Sequence, residues 1–200
     1  LTSKDLFPRG RVAFFVTTNV HKFQEARRVL AGYRVAAALL RVETHEIQDD
    51  NTEEIARASA VEAAERCGLP VIVEDSGLFI DALGGFPGPY SSFVYRTIGT
   101  RGVLKLMSDV RERDAHFRSA VAFCDPGGPV ECFSGRVDGR IAWRERGSSG
   151  FGFDPLFEPS GGHGRTFAEM TVTEKNRLSH RARAMQKFAH WYVSTFRKGP

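Results

Sequence analysis

Apolar and polar positions follow two different periods along this chain. Val12 to about Thr17 is an unbroken apolar run, the pattern of a strand covered on both faces. "HKFQEARRVLAGY" then spaces its apolar residues as a single helical stripe ended by Gly32. "RVAAALLRVET" fits either a strand or a helix, since its apolar run permits both. Asn51 or Thr52 can cap the helix "TEEIARASAVEAAERCG", which has acids in its first turn and Gly68 after its last. "LPVIVED" reads as a short interior strand that ends between Glu74 and Asp75. This alternation predicts an α/β protein with an at least partly parallel sheet.

The second half changes period. "HFRSAVAFCD" and "VECFSGRVDG" are extended runs joined by "PGGP", a hairpin signal, and "RIAWRERG" reads as a further strand. "EPSGGHGRTF" is a glycine-rich turn region. The closing helix sets Leu178, Ala182, Met185, Ala189 and Tyr192 on one face. With no repeat and no linker, the 200 residues read as one unit of two lobes.

Composition narrows the class. A hydrophobic content of 42% suits a folded globular protein, and no apolar run approaches the roughly 18 residues of a membrane span. Cys67, Cys124 and Cys132 are odd in number and lack metal-like pairing, which predicts packed, reduced thiols and a cytoplasmic setting. A net charge of +4 suits an anionic ligand or plain solubility.

Four segments carry candidate chemistry. Thr17-Thr18-Asn19-Val20-His21-Lys22 lies at the turn from the first strand to the first helix, where free N–H groups attract anions. It is not a P-loop, and taken alone a simple Asn or Thr cap with a solvated lysine is the better account. Glu74-Asp75-Ser76-Gly77 places carboxylates at a strand exit, where either a magnesium ion or an Asx-type turn would occupy Asp75. In "SSGFGFDPLF", Phe151 and Phe153 flank Gly152, so a flat ligand could stack there and Asp154 could read its edge; core packing is the competing account. In "TVTEKNRLSHRARA", Thr171 and Glu174 have capping-box spacing and Ser179 can cap a second helix. A break near Asn176 brings Lys175 and Arg181, otherwise about 120° apart, into one cleft.

Read together as T-x-N-x-x-K, E/D-D-S-G with L-x-G-x-P-G-x-Y-S, G-F-G-F-D-P and E-K-x-x-x-S-H-R, the segments resemble the inosine triphosphate pyrophosphatase family. "FPGPYSSFVYRTIG", exposed-loop material by composition, is most similar to the archaeal branch. The likeness runs from about Val12 to the last helix. It implies an elongated α/β fold, with a long mixed sheet flanked by helices and a nucleotide cleft between two lobes, as a homodimer. The implied reaction is magnesium-dependent hydrolysis of ITP, dITP and XTP to the monophosphate and pyrophosphate. By the same resemblance, Thr17, Asn19 and Lys22, with Thr18, Val20 and His21 in the same turn, hold the triphosphate. Asp75 is the catalytic carboxylate and metal ligand, with Glu74 beside it, Ser76 on the substrate, and Glu46 of "HEIQ" a further metal ligand. Phe151, Gly152, Phe153 and Asp154 form the base-binding loop, which Lys175, His180 and Arg181 complete.

The chemistry of these side chains agrees. Attack at the α-phosphorus needs fixed cations, which Lys22, Lys175 and magnesium supply. Arg181 can only donate, so it suits a 6-oxo purine and leaves the amino group of adenine without an acceptor. Two positions depart from the family pattern. Thr18 stands where glycine is common, and Ser59 where a lysine is frequent, with Arg57 a possible substitute. His21 and His163 lack a nearby metal-ligand partner and read as surface residues. The rival readings are a Maf-type nucleotide pyrophosphatase and an RNA-binding module. The S-H-R and G-F-G-F-D segments weigh against the first, and the absence of an RNA-binding signature or long basic run against the second. Neither membrane nor nucleic-acid partners are expected.

Overall fold

The computed structural model describes residues 9–45 and 47–197. Strand β1 (Val12–Val16) leads through helix α1 (Val20–Gly32) to β2 (Ala36–Leu40), which pairs parallel to β1 and so settles the ambiguous alanine-leucine run as strand. Helix α2 (Thr52–Cys67) starts at the Asn51 cap and ends on Gly68 in the left-handed conformation. Strand β3 (Val71–Ile80) returns parallel to β1. After β4 (Pro87–Gly88) come α3 (Ser91–Thr97) and α4 (Gly99–Leu106). The hairpin β5 (Asp114–Cys124) and β6 (Val130–Ile141), the short β7 (Phe157–Pro159), α5 (Val172–Leu178) and α6 (His180–Phe196) complete the chain.

The sheet order is β2-β1-β3-β5-β6-β7, with β4 added to β3. Its first three strands are parallel and the rest antiparallel, giving the expected mixed sheet. One face packs under α1 and α6 around Phe15, Leu30, Ile72, Met185 and Phe188. The other lies under α2, whose alanines 56, 60, 63 and 64 let the helix approach Phe14, Val71 and Ala122. A third cluster, with Leu78, Ile80, Phe117, Phe157 and Phe167, fills the far end. Cys124 and Cys132 both lie in or against the α2 face as free thiols.

Three expectations change. β3 does not stop at Glu74 but runs for ten residues from Val71 to Ile80, because β5 pairs with every one of them. "RIAWRERG" is not a separate strand: Arg140 and Ile141 end β6, and the next partner is β7. "FPGPYSSFVYRTIG" is not all loop, since it contains β4 and α3, with Pro87 and Gly88 buried.

Two features place the site. β1 pairs with β3 only as far as Val73, and β4 takes over at Leu78, so no described strand covers that edge of β3 from Glu74 to Gly77. On the hairpin, Gly135 lets the start of α6 lie against the sheet, for a Cβ there would stand 2.1 Å from the His180 carbonyl oxygen. The open edge and the α6 amino terminus converge on one cleft of roughly 1030 Å³.

Candidate active site

The first wall of the cleft is the turn into α1. Thr17 Oγ1 accepts the Asn19 N–H at 3.1 Å, and Asn19 Oδ1 accepts those of His21 and Lys22 at 3.0 and 3.2 Å. Asn19 is thus the cap, with its side-chain amide N–H groups left for a ligand. Lys22 is paired, with its Nζ 3.0 Å from Glu74 Oε2 and donating to the Glu74 carbonyl at 3.2 Å.

That contact opens a buried ion network. Alternation along β3 sends Glu74 and Ser76 to the α1/α6 face and Asp75 to the α2 face. Glu74 Oε1 accepts from Ser119 Oγ at 2.6 Å and from Arg181 Nε at 3.1 Å. Arg181 also donates from Nη1 to Glu25 Oε2 and from Nη2 to Ser76 Oγ. Lys175 Nζ lies 2.7 Å from Glu25 Oε1 and 2.6 Å from Asp154 Oδ2. Both cations reach this depth because α5 stops at Ser179, which caps α6 by accepting the Ala182 N–H.

The charges interlock. Burial pushes the Glu74 and Glu25 carboxyls up, but Arg181, joined by Lys22 at Glu74 and by Lys175 at Glu25, more than reverses this and holds both below the usual carboxylate range. At Asp154 burial prevails over Lys175, and the carboxyl is pushed up. Burial, reinforced by Arg181, holds His180 well below its ordinary value, so its imidazole is neutral. Glu25 and Ser119 escaped the sequence reading. The available signal for Glu25 was its place one turn beyond Lys22 and next to Ala26 on the inner stripe of α1; Ser119 gave none.

Glu74, expected beside a metal, is fully engaged with cations on the face opposite Asp75, so the structure does not join the two carboxylates in one donor set. Asp75 lines the cleft with Glu43, Thr44 and Ser59. Glu46 lies outside the described residues, and no group of three or more His, Cys, Asp or Glu poised for a metal occurs among those described. Arg57 does not stand in for the missing lysine, since its guanidinium donates to the Val130 carbonyl at 3.0 Å at the start of β6. Thr18 lines the cleft, whereas Val20 is an exposed residue of the first turn of α1.

At the other end, Phe151 and Phe153 have separated. Phe153 is 3% exposed, packed edge-on against Tyr95 with ring centroids 5.5 Å apart, and belongs to the third core cluster while still contributing to the cleft lining. Phe151 presents its ring to the cleft beside Gly152, with Lys175 Nζ 4.9 Å and Arg181 Cζ 5.4 Å from its centroid. Asp154 Oδ2 accepts the Phe151 N–H at 2.9 Å as well as the lysine, so its contacts hold the loop to α5. His180 stacks on Phe117, centroids 4.5 Å apart. His21, which the resemblance set beside the triphosphate and its lack of a metal-ligand partner set at the surface, is exposed and lines the cleft.

A mixed-sheet α/β protein, with one polar cleft running from a helix amino terminus to a buried arginine beside an aromatic face, is the class that fold and site define. The chain belongs to the Ham1 family, whose model matches residues 13–191. It is 49% identical over 178 residues to the dITP/XTP pyrophosphatase of Methanopyrus kandleri, covering 89% of this chain and 94% of that protein. It is 51% identical over 177 residues to the dITP/XTP pyrophosphatase of Thermococcus kodakarensis, covering 88% and 95%. Among solved structures, a HAM1 protein from Coxiella burnetii superposes with a TM-score of 0.79 at 28% identity, covering 92% of this chain and 98% of that one. A nucleoside-triphosphatase / dITP/XTP pyrophosphatase from Mycobacterium abscessus gives 0.69 at 34% identity, covering 88% and 98%.

Proposed function

We propose that this chain hydrolyses non-canonical purine nucleoside triphosphates, ITP, dITP and XTP, to the monophosphate and pyrophosphate. The observation that carries this is Arg181. Its three internal hydrogen bonds leave two of its five N–H groups, which are donors only, beside the Phe151 ring. A purine stacked on Phe151 and bonded there through a 6-oxo oxygen is accepted, while a 6-amino group meets a donor and is refused. The relatives named for dITP and XTP support the same choice.

The triphosphate then runs toward α1. Asn19 and the third N–H of Lys22 bind its oxygens, and the amino end of α1 adds its dipole. Asp75, at the open edge of β3, orients a water toward the α-phosphorus and takes its proton as the bond to the pyrophosphate breaks. The donor chemistry fits magnesium, which takes hard carboxylate oxygen and is held largely by substrate phosphates and water instead of an all-protein cage. Asp75 would hold it, with Glu46 as the candidate second ligand. When bound, the ion neutralises charge on the phosphate oxygens.

The chain acts as one unit of two lobes, and the exposed Phe86, Tyr90, Phe93 and Ile98 support a homodimer formed through the segment 86–99. The three free cysteines favour the cytoplasm. No described helix is long and apolar enough to cross a membrane.

The test is pyrophosphate release from ITP, dITP, XTP, ATP and GTP, with magnesium and with EDTA. Magnesium-dependent release from ITP, dITP and XTP, with ATP nearly inert, is expected. Equal rates on ATP, or none on any purine triphosphate by a folded protein, would overturn the reading and direct attention to Maf-type substrates.

A further inference from the structure

The exposed face of Phe151 is already matched by a second ring. The His21 imidazole stacks on it with centroids 5.2 Å apart and planes within 16°. The two residues come from opposite walls of the cleft, His21 from the first turn of α1 and Phe151 from the loop between β6 and β7. Neither backbone is loose. The His21 N–H is held by the Asn19 cap at 3.0 Å, and the Phe151 N–H by Asp154 at 2.9 Å. The pair stands directly beside the guanidinium of Arg181, 5.4 Å from the Phe151 centroid.

A flat base brought to Arg181 therefore arrives between two nearly parallel aromatic plates. At a centroid separation of 5.2 Å they have closed on each other. A ring inserted between them needs about 7 Å, twice the contact distance of carbon atoms. The His21 side chain is exposed, so it can withdraw by that difference without breaking the core.

We propose that His21 is a base-binding residue, the second plate of a stacking slot that closes the purine against Phe151. This rests on the purine triphosphate reading above and divides its recognition into two parts. Arg181 senses the 6-position, whereas stacking is indifferent to it, because every base offers a π-face. His21 therefore sets how tightly any purine is held, and Arg181 sets which purine.

Steady-state kinetics of His21→Ala and His21→Phe on ITP, XTP and ATP test this, with inorganic tripolyphosphate as a competitive inhibitor that lacks a base. His21→Ala is expected to raise KM for ITP about tenfold with kcat within about twofold of wild type, the magnitude of a lost base-aromatic stack. The ITP to ATP preference and the inhibition by tripolyphosphate stay unchanged, and His21→Phe restores KM. An unchanged or lower KM in His21→Ala overturns the proposal, for the imidazole is then only a place-holder that the base evicts. Weaker tripolyphosphate inhibition in step with KM overturns it too, since His21 then meets the phosphates. A wild-type chain inactive on every purine triphosphate removes the functional reading and this inference with it, whereas an active wild type with an indifferent His21→Ala removes the inference alone.

Discussion

The Arg181 guanidinium and the Glu74 carboxylate meet at 3.1 Å, with the two side chains only 3% and 0% exposed. The same carboxylate holds Lys22 at 3.0 Å. One acid thus ties the group proposed to read the base to the one proposed to bind phosphate. Such a network costs desolvation and stabilises the fold only while every member has its partner.

Arg181→Met should therefore destabilise the protein by about 3–5 kcal/mol near neutral pH, because Glu25 and Glu74 are left buried with too few cations. In the variant burial drives both carboxyls up, so its deficit should shrink as pH falls and they take protons. Urea unfolding at several pH values checks this. A deficit that does not change with pH would show that lost packing, not uncompensated charge, is responsible.

Acid sensitivity of the wild type should come in two stages. His180 is held below 6.5 by burial, so the unfolded chain takes up its proton first and stability declines as pH drops through 6.5. Glu25 and Glu74 are held below 4.5, so their contribution is complete above that pH and disappears below it as they take protons. Asp154, pushed up by burial, works in the opposite sense. Urea midpoints between pH 8 and 3.5 report both stages, and His180→Gln should remove the first alone. A flat profile from pH 7 to 5 would refute the neutral, buried assignment of His180.

Asp75→Asn should fold and melt like the wild type yet lose roughly 100-fold or more in kcat, the scale of a missing general base. Pyrophosphate release from ITP and a thermal melt, measured side by side, decide it. Near-normal turnover would remove Asp75 from the chemistry.

Ser59→Lys should lower KM for ITP by about fivefold, the gain from one partly screened charge pair. Ser59 lines the cleft on the same side as Asp75, where a lysine is frequent in the family that the sequence resembles, and Arg57 is turned away. Michaelis constants across a salt series test it. An unchanged KM would mean that the phosphates do not pass that wall of α2.

Gly77→Ala should cost about 1–3 kcal/mol, because its Cβ would meet the Gly88 carbonyl oxygen at 2.1 Å and push β4 off β3. A thermal melt measures the loss. An unaltered melting temperature would show that β4 yields freely. The glycine-proline stretch thus folds tightly back over the end of β3, with Ser91 Oγ accepting the Leu78 N–H and donating to the Gly88 carbonyl.

Period and punctuation in the sequence determined most elements: the apolar run of β1, the Asn51 and Gly68 ends of α2, the hairpin at "PGGP", and the break at Ser179 that brings Lys175 and Arg181 together. These are local signals, set by steric and capping preferences within a few residues. The ordered motifs likewise marked Asn19, Lys22, Asp75, Phe151 and Arg181 as one set, and all five line the cleft. Only the tertiary structure decided where β3 ends, because β5 supplies hydrogen-bond partners well past Asp75 and pairing outweighs the turn preference of Ser76-Gly77. The same pairing puts Glu74 and Asp75 on opposite faces, one among cations and the other in the cleft. Glu25, Ser119 and the His21–Phe151 stack were equally hidden, since each depends on side chains from distant segments meeting across a packed sheet or cleft. A linear pattern carries no term for such contacts.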